Sequence, residues 1–344
     1  MNGHMKQFCG VALAALAFAF SAGDGLAQTM AEHFRNKTVR ILIPTGPGGD
    51  RALYTLPFAS VYGKNIPGNP TVTPVFMPGA GGSLALNNIY SVAAPDGLTI
   101  TTPLGSVLNA QVTGDKSVAY DARKFKWIGR TDDATRVLVV SDKVGAKSIE
   151  DMKREEIIVG AVGQASETYG NPAFMNRIFG TKFKIVNGYG ASGKIMLAML
   201  SGETQGAFST WNNVRSLHAN DLRDGKIRVL LQIGLAKHPA LPEVPLLLDL
   251  AENEADRQLI SLMSSATLMG QSFAAPPGVS PDVLQTLRRA FDATMKDPDF
   301  VEKMRTLGIE YNPMTGEELT GLVERIMSAS ATVVERYMAT QASE

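Results

Sequence analysis

The sequence predicts a two-domain α/β fold with largely parallel sheets. Three observations carry this reading. Short apolar runs alternate with single amphipathic stretches, the order expected of right-handed βαβ crossovers. Glycine-rich loops recur after predicted strands and before predicted helices. The chain has 344 residues, long enough for two domains that each bury a core.

The elements follow in order. Val39 to Ile43 reads as a buried strand, Thr45-Gly46-Pro47-Gly48-Gly49-Asp50 as a loop, and the next stretch as a helix through Tyr62. Thr71 to Phe76 is a strand, Met77 to Ser83 a second glycine loop, Leu84 to Ala93 a helix, and Leu98 to Thr102 a third strand. A second series begins with Val137 to Val140. Ile157 to Ala161 is followed by the loop Gly163 to Thr168 and a helix through Phe179. Phe183 to Val186 is followed by Gly188 to Gly193 and a helix to Leu200. Ala207-Phe208 and Val229 to Ile233 complete that sheet. The last hundred residues read as mostly helical. Ser280-Pro281-Asp282 combines an N-cap, a proline at the first helical position and an acid in the first turn. Asp297-Pro298 starts another helix, closed by Gly308. Thr315 with Glu318 forms a capping box for a terminal helix reaching about Tyr337.

Composition excludes several classes of function. Lys+Arg and Asp+Glu number 33 each, so no long-range field favours nucleic acid or an anionic membrane. Aromatics are 7% of the chain, little material for stacking sugars or bases. Lys6, the apolar run Val11 to Phe20 and the small residues of Gly25-Leu26-Ala27 read as a signal peptide over 1–27, cleaved after Ala27. The alternative is an uncleaved anchor, but that run is shorter than the ~18–20 residues of a membrane span. Cys9 precedes the apolar run, so lipid anchoring is not expected. Its removal leaves no cysteine for disulfide or thiol chemistry. The remaining histidines, His33, His218 and His238, lack ligand-like spacing, so neither a metal nor another cofactor is expected.

The glycine loops are the candidate binding elements. In an open α/β sheet such loops line the ligand crevice. Helix N-termini expose N–H groups and partial positive charge, which suits anions. Thr45, Ser166, Thr168 and Ser192 add hydroxyls. A bland reading makes each glycine a tight turn. No phosphate-loop or dinucleotide fingerprint is present, and Gly190-Ala191-Ser192-Gly193 has the wrong spacing for a nucleophile elbow. Arg51 and Lys194 either face an anionic ligand or, by default, are solvated surface cations. Glu167 is read as a solvated acid in a first helical turn. Trp211 either walls the cleft or fills core.

With these residues in view, the chain resembles the Bug-type substrate-binding proteins of tripartite tricarboxylate transporters. The matching stretches are Val39 to Gly49, Met77 to Gly82, Ala94 to Gly97, Gly188-Tyr189, His238 to Pro245, Ala275 to Val279 and Lys296-Asp297-Pro298. The resemblance implies a two-domain periplasmic-binding-protein fold with a ligand cleft between the domains. Domain 1 is expected over 35–130 and 237–344, and domain 2 over 131–236. It implies hinge closure on a small carboxylate gripped by two strand-to-helix loops. By resemblance the site comprises Thr45, Pro47, Gly48, Gly49, Asp50 and Arg51 in the first loop. Gly163, Gln164, Ala165, Ser166 and Thr168 form the second. Tyr189, Ala191, Ser192, Phe208, Ser209 and Thr210 complete it. Ala52 stands where the family usually has an aspartate suited to a ligand amine, and Ala191 where it often has glycine. Loss of the aspartate favours a non-amino mono- or dicarboxylic acid, aromatic acids included. A periplasmic, monomeric, non-enzymatic protein serving membrane permease subunits is implied. The alternatives are a periplasmic hydrolase working from Ser166 or Ser192, and a ligand-presenting sensor partner.

Overall fold

The computed structural model describes residues 29–164, 166–309 and 311–341. The expected signal peptide lies outside them. No helix of the described residues is long and apolar enough to cross a membrane.

Two sheets organise the chain. The first is ordered β11-β4-β10-β3-β1-β2 and the second β7-β6-β8-β5-β9. In the first, β1 (Thr38–Ile43), β2 (Thr71–Phe76) and β3 (Thr99–Thr101) are parallel. Between and around them run α1 (Asp50–Asn65), α2 (Ser83–Ser91) and α3 (Ser106–Val112). The next strand, β4 (Lys126–Arg130), leads through residues 131–135 into β5 (Arg136–Ser141) of the second sheet. There follow α4 (Ile149–Arg154), β6 (Glu156–Ala161), α5 (Glu167–Phe179), β7 (Lys182–Asn187), α6 (Ser192–Ser201) and β8 (Gly206–Thr210). The helices α7 (Trp211–Leu217) and α8 (Ala219–Arg223) precede β9 (Ile227–Ile233). The chain returns through α9 (Glu254–Met269) to β10 (Ser272–Ala275) in the first sheet. It ends with α10 (Pro281–Lys296), α11 (Pro298–Thr306), β11 (Met314–Thr315), α12 (Gly316–Met327) and α13 (Ala331–Gln341).

Each sheet is apolar on both faces, which explains the continuous apolar runs in its strands. Ile128 and Phe273 pack on one side of the first sheet with Phe58 and Phe291; Trp127 and Ala274 pack on the other with Leu319. Leu138 and Val140 enter one core of the second sheet, Val137 and Val139 the other. This is the period-2 alternation of a pleated strand.

The sheets are mixed where largely parallel ones were expected. β10 is antiparallel to β3 and β4, and β5 is antiparallel to β8 and β9. These are the strands through which the chain passes between sheets, and they do not arrive by a βαβ crossover. The segment 237–344, expected with the first domain, divides. Leu247, Leu259, Ile260, Met263 and Tyr337 lie in a core of the second sheet. The long terminal helix expected to Tyr337 is broken at Ser328 to Ser330. The Ser330 hydroxyl accepts from Val333 N–H at 3.4 Å, restarting the helix by side-chain competition for the backbone.

Candidate functional site

A cavity of about 540 Å³ lies where the carboxyl ends of both sheets meet. Thr45, Gly49, Asp50, Arg51, Gly163, Gln164, Ser166, Thr168 and Ser192 line it, from all three loops named above. The second glycine loop adds Pro78 to Gly82, and β5 adds Arg136.

Helix N-termini converge here. α1, α2, α3, α5 and α6 begin at Gly49, Gly82, Gly105, Ser166 and Ala191, and none of these N-cap residues makes a side-chain capping bond. Gly49, Gly82, Ser106, Ser166 and Ser192 are in the cavity wall. The first N–H groups of a helix have no intrahelical acceptor, so this cavity is a basin of backbone donors with aligned dipoles. The Thr45 hydroxyl is buried beside it without a partner.

Two glycines permit the close approach of the sheets. A Cβ on Gly193 would stand 2.6 Å from the Gly48 carbonyl oxygen, joining the first and third loops. One on Gly105 would stand 2.1 Å from the Ala266 carbonyl and 3.0 Å from Glu167 Oε1.

A charged cluster spans the cavity. Arg136 Nη1 lies 3.3 Å from Asp50 Oδ2, and Nη2 pairs with Glu167 Oε2. Ser192 Oγ donates to Asp50 Oδ1 at 3.1 Å. Ser106 N–H, at the start of α3, donates to Glu167 Oε1 at 2.9 Å. A carboxylate of the protein thus already occupies one helix N-terminus in this cleft. Arg51 is buried, and its Nη1 donates to Thr102 Oγ1 at 3.5 Å and to the Gly270 carbonyl. Burial lowers Arg51 to about 10, with nearby Glu167 opposing the fall and Arg136 adding to it; it stays cationic at neutral pH.

Two default readings are corrected. Arg51 is not a solvated surface cation, because the Gly270 carbonyl holds it inside. Glu167 is in a first turn but not solvated, since Arg136 and Ser106 take both its oxygens. Lys194 is exposed and outside the cavity wall.

The other candidates sit elsewhere. Pro47 and Gly48 are exposed. Phe208 belongs to a core of the second sheet, and Trp211 to the core on its other face. Thr210 caps α7 by accepting from Asn213 N–H. Ser209 is fully buried, its hydroxyl 3.3 Å from Asn213 Oδ1. Tyr189 donates to Glu203 Oε1 at 2.7 Å. Ala191 is buried as the N-cap of α6, while Ala165 lies outside the described residues. Ala52 is buried and outside the cavity wall.

The hydroxyls of the second loop hold the loop itself. Ser166 Oγ donates to the Gly163 carbonyl at 2.5 Å and meets Thr168 Oγ1 at 2.8 Å, and Val162 N–H donates to Thr168 Oγ1 at 2.9 Å. Among the described residues, neither Ser166 nor Ser192 hydrogen-bonds a histidine. No cluster of metal-ligating side chains occurs among the described residues.

Arg136, Ser106 and Gln271 line the cavity but were not among the sequence candidates. A signal for Arg136 was available: it is a lone charge opening the apolar strand run Val137 to Val140.

The interlobe connector carries a second polar cluster. Asp132 Oδ2 accepts from Tyr54 OH at 2.9 Å and from Asn212 Nδ2 at 2.6 Å, and Oδ1 accepts from Asn312 N–H at 3.1 Å. Burial, then neighbouring Asp133, pushes Asp132 up to about 7 against those hydrogen bonds.

A family model for the tripartite tricarboxylate transporter family receptor matches residues 69–337. The chain is 24% identical to the UPF0065 protein in the gbd 5′ region of Cupriavidus necator, with 97% of each chain covered. It is 21% identical to a UPF0065 protein of Bordetella pertussis, with 94% of this chain and 95% of that protein covered. Among solved structures, the periplasmic binding protein BugD superposes with a TM-score of 0.70 at 18% identity, covering 88% of this chain and 97% of that one. MatC from Rhodopseudomonas palustris with bound malate gives 0.68 at 18%, covering 89% and 99%. These likenesses establish the two-domain periplasmic-binding-protein fold.

Proposed function

The chain belongs to the tripartite tricarboxylate transporter receptor family, whose members are solute-binding proteins, and on that premise we propose that it captures a small non-amino carboxylic acid. The observation that carries this reading is the set of helix N-termini, uncapped by their own N-cap side chains, around one cavity. The ligand carboxylate takes the place of the missing caps. It is held by the first N–H groups of α1, α5 and α6 and by the field of Arg51. The malate bound by MatC and the adipate bound by another Rhodopseudomonas palustris protein of this fold support a carboxylate.

Both oxygens of Asp50 are engaged, by Arg136 and by Ser192. Asp50 is therefore not a free counter-charge for a ligand ammonium, and Ala52 offers none. In the proposed cycle the protein is exported with cleavage near Ala27. It closes as a monomer about the connector at residues 131–135, then delivers its ligand to membrane permease subunits without chemical turnover.

A thermal-shift screen of carboxylic acids, amino acids and sugars tests the reading. A ligand at a hundredfold its Kd adds ~2.7 kcal/mol of stability. Stabilisation by acids lacking an amine, with no product formed, is the expected result. Stabilisation by amino acids alone, abolished by Asp50→Ala, contradicts it.

A further inference from the structure

Helix α1 meets the cleft with its first turn and the interlobe connectors with the turn that follows. Asp50, Arg51 and Tyr54 stand on one stripe of it, at the i, i+3 and i, i+4 spacing of helical neighbours. Asp50 bonds Arg136 and Ser192 of the second lobe. Arg51 holds the Gly270 carbonyl, and Tyr54 holds Asp132.

Gly270 and Asp132 belong to two of the segments by which the chain passes between the sheets. These segments are paired. Gln271 N–H donates to the Asp132 carbonyl at 2.8 Å, and Thr131 N–H to the Gln271 carbonyl at 3.0 Å. A Cβ on Gly270 would stand 1.9 Å from the Asp132 carbonyl oxygen, so the crossing admits no side chain there. One face of α1 therefore grips both connectors.

The second lobe adds an arm. Asn212, in the first turn of α7, donates from Nδ2 to Tyr54 OH at 2.7 Å and to Asp132 Oδ2 at 2.6 Å. The amide has two N–H donors, the phenol gives one hydrogen and accepts another, and the carboxylate accepts. The three side chains thus close a hydrogen-bonded ring, with one member from each lobe and one from the connector. All three are buried, and none lines the cavity. Tyr54 packs in a core of the first sheet, while Trp211 and Val214 anchor α7 in a core of the second. Rotation of one lobe away from the other about residues 131–135 must break the contact between Asn212 and Tyr54.

We propose that Tyr54, Asp132 and Asn212 form an interlobe latch, positioning residues that hold the lobes closed over the solute without touching it. One placement of α1 puts its first turn against the solute and its Tyr54 into the ring. Capture and latching therefore favour the same closed state. The latch rests on the reading of this chain as a solute-binding protein that closes by a hinge, and not on which solute it takes.

Double electron–electron resonance tests it. The single cysteine, Cys9, lies in the expected signal peptide. Spin labels on Ser60→Cys of α1 and Arg154→Cys of α4, both exposed and one on each lobe, then report the interlobe distance in the mature chain. The labelled parent, Tyr54→Phe and Asn212→Leu are compared without acid and with malate or adipate. The parent should show a short-distance population, and each variant should lower its closed-to-open ratio about tenfold, the worth of a net buried hydrogen bond or two. Calorimetry with the acid that closes the parent should show affinity weakened by up to the same factor, although neither residue lines the cavity. Tyr54→Phe keeps the ring in the core and decides the matter if Asn212→Leu does not fold. Distance distributions that coincide in parent and folded variants overturn the latch. So does a parent with no short-distance population under any condition. A shift in the variants while neither acid moves the parent supports the latch and counts against the carboxylate reading alone.

Discussion

The helices of this protein begin in two ways. Away from the cleft they begin on a side chain. Ser148, Asn253, Ser280, Asp297 and Thr315 each accept from a backbone N–H in the first turn of α4, α9, α10, α11 and α12. At the cleft, α1, α2, α5 and α6 begin without such a bond; away from it the five-residue α8 is the exception. A side-chain cap stabilises by ~0.5–2 kcal/mol. The cleft forgoes that stabilisation several times over and keeps its donors for something else. Within it the protein's own acids stand at helix starts, Asp50 on α1 and Glu167 on α5, and Arg136 pairs with both.

The largest test of this contrast concerns charge. Arg136→Met leaves Asp50 and Glu167 buried without their cation, so urea unfolding should show a loss of ~3–5 kcal/mol. Adding Asp50→Asn and Glu167→Gln should recover most of it. Removing the exposed partner in Arg305–Glu302, a surface pair at 2.7 Å, should leave the unfolding midpoint unchanged. Equal sensitivity of the two pairs would erase the distinction between cleft and periphery.

Asp132 sharpens the contrast, as an interlobe carboxylate whose hydrogen-bond donors are neutral. Its folded pKa of about 7 lies above the ordinary aspartate value. The native state therefore holds a proton that the unfolded state has released. The resulting stability is complete below ~pH 4 and is lost as pH rises through about 7, up to ~4 kcal/mol at ~1.4 kcal/mol per unit. Unfolding measured from pH 4 to 8 should show this decline in the wild type and not in Asp132→Asn. Parallel curves would contradict the assignment.

Smaller effects separate affinity from stability. A Cβ on Gly49 meets Thr45 Oγ1 at 3.1 Å, so Gly49→Val crowds the start of α1 and the unpartnered hydroxyl. Calorimetry should show acid binding weakened by about ten- to a hundredfold, the equivalent of ~1.5–3 kcal/mol. Ser148→Ala removes a peripheral cap, and should cost ~1 kcal/mol of stability with affinity unchanged.

The fold was legible because its signals are local. Strand runs such as Thr71 to Phe76, the Ser280-Pro281 start and the Thr315–Glu318 capping box depend on neighbours in sequence, and the structure places them where the pattern does. The site was legible only as loops. Glycine spacing points to Gly49, Ser166 and Ser192, which meet at one cavity. It cannot say that Thr210 would spend its hydroxyl on a cap, or Tyr189 donate to Glu203. Arg136 escaped because its partners lie 86 residues before it, at Asp50, and in α5 after it. Such a cluster exists only once both sheets are assembled. The strand β5 was read within a largely parallel sheet, and β10 fell in a stretch read as mostly helical, for the same reason, since their antiparallel pairing is set by non-local partners.

Amide hydrogen exchange, with an acid identified by the thermal-shift screen, tests the central claim most directly. The account predicts that the bound acid slows exchange at the first N–H groups of α1, α5 and α6, at residues 50–51, 167–168 and 192–193, ahead of Ala52, Tyr169 and Lys194, whose N–H groups already donate to the N-cap carbonyls. The capped starts of α4 and α10 should change no more than the global stability does. An acid that stabilises the protein yet leaves those three cleft ends exchanging as before would contradict the account.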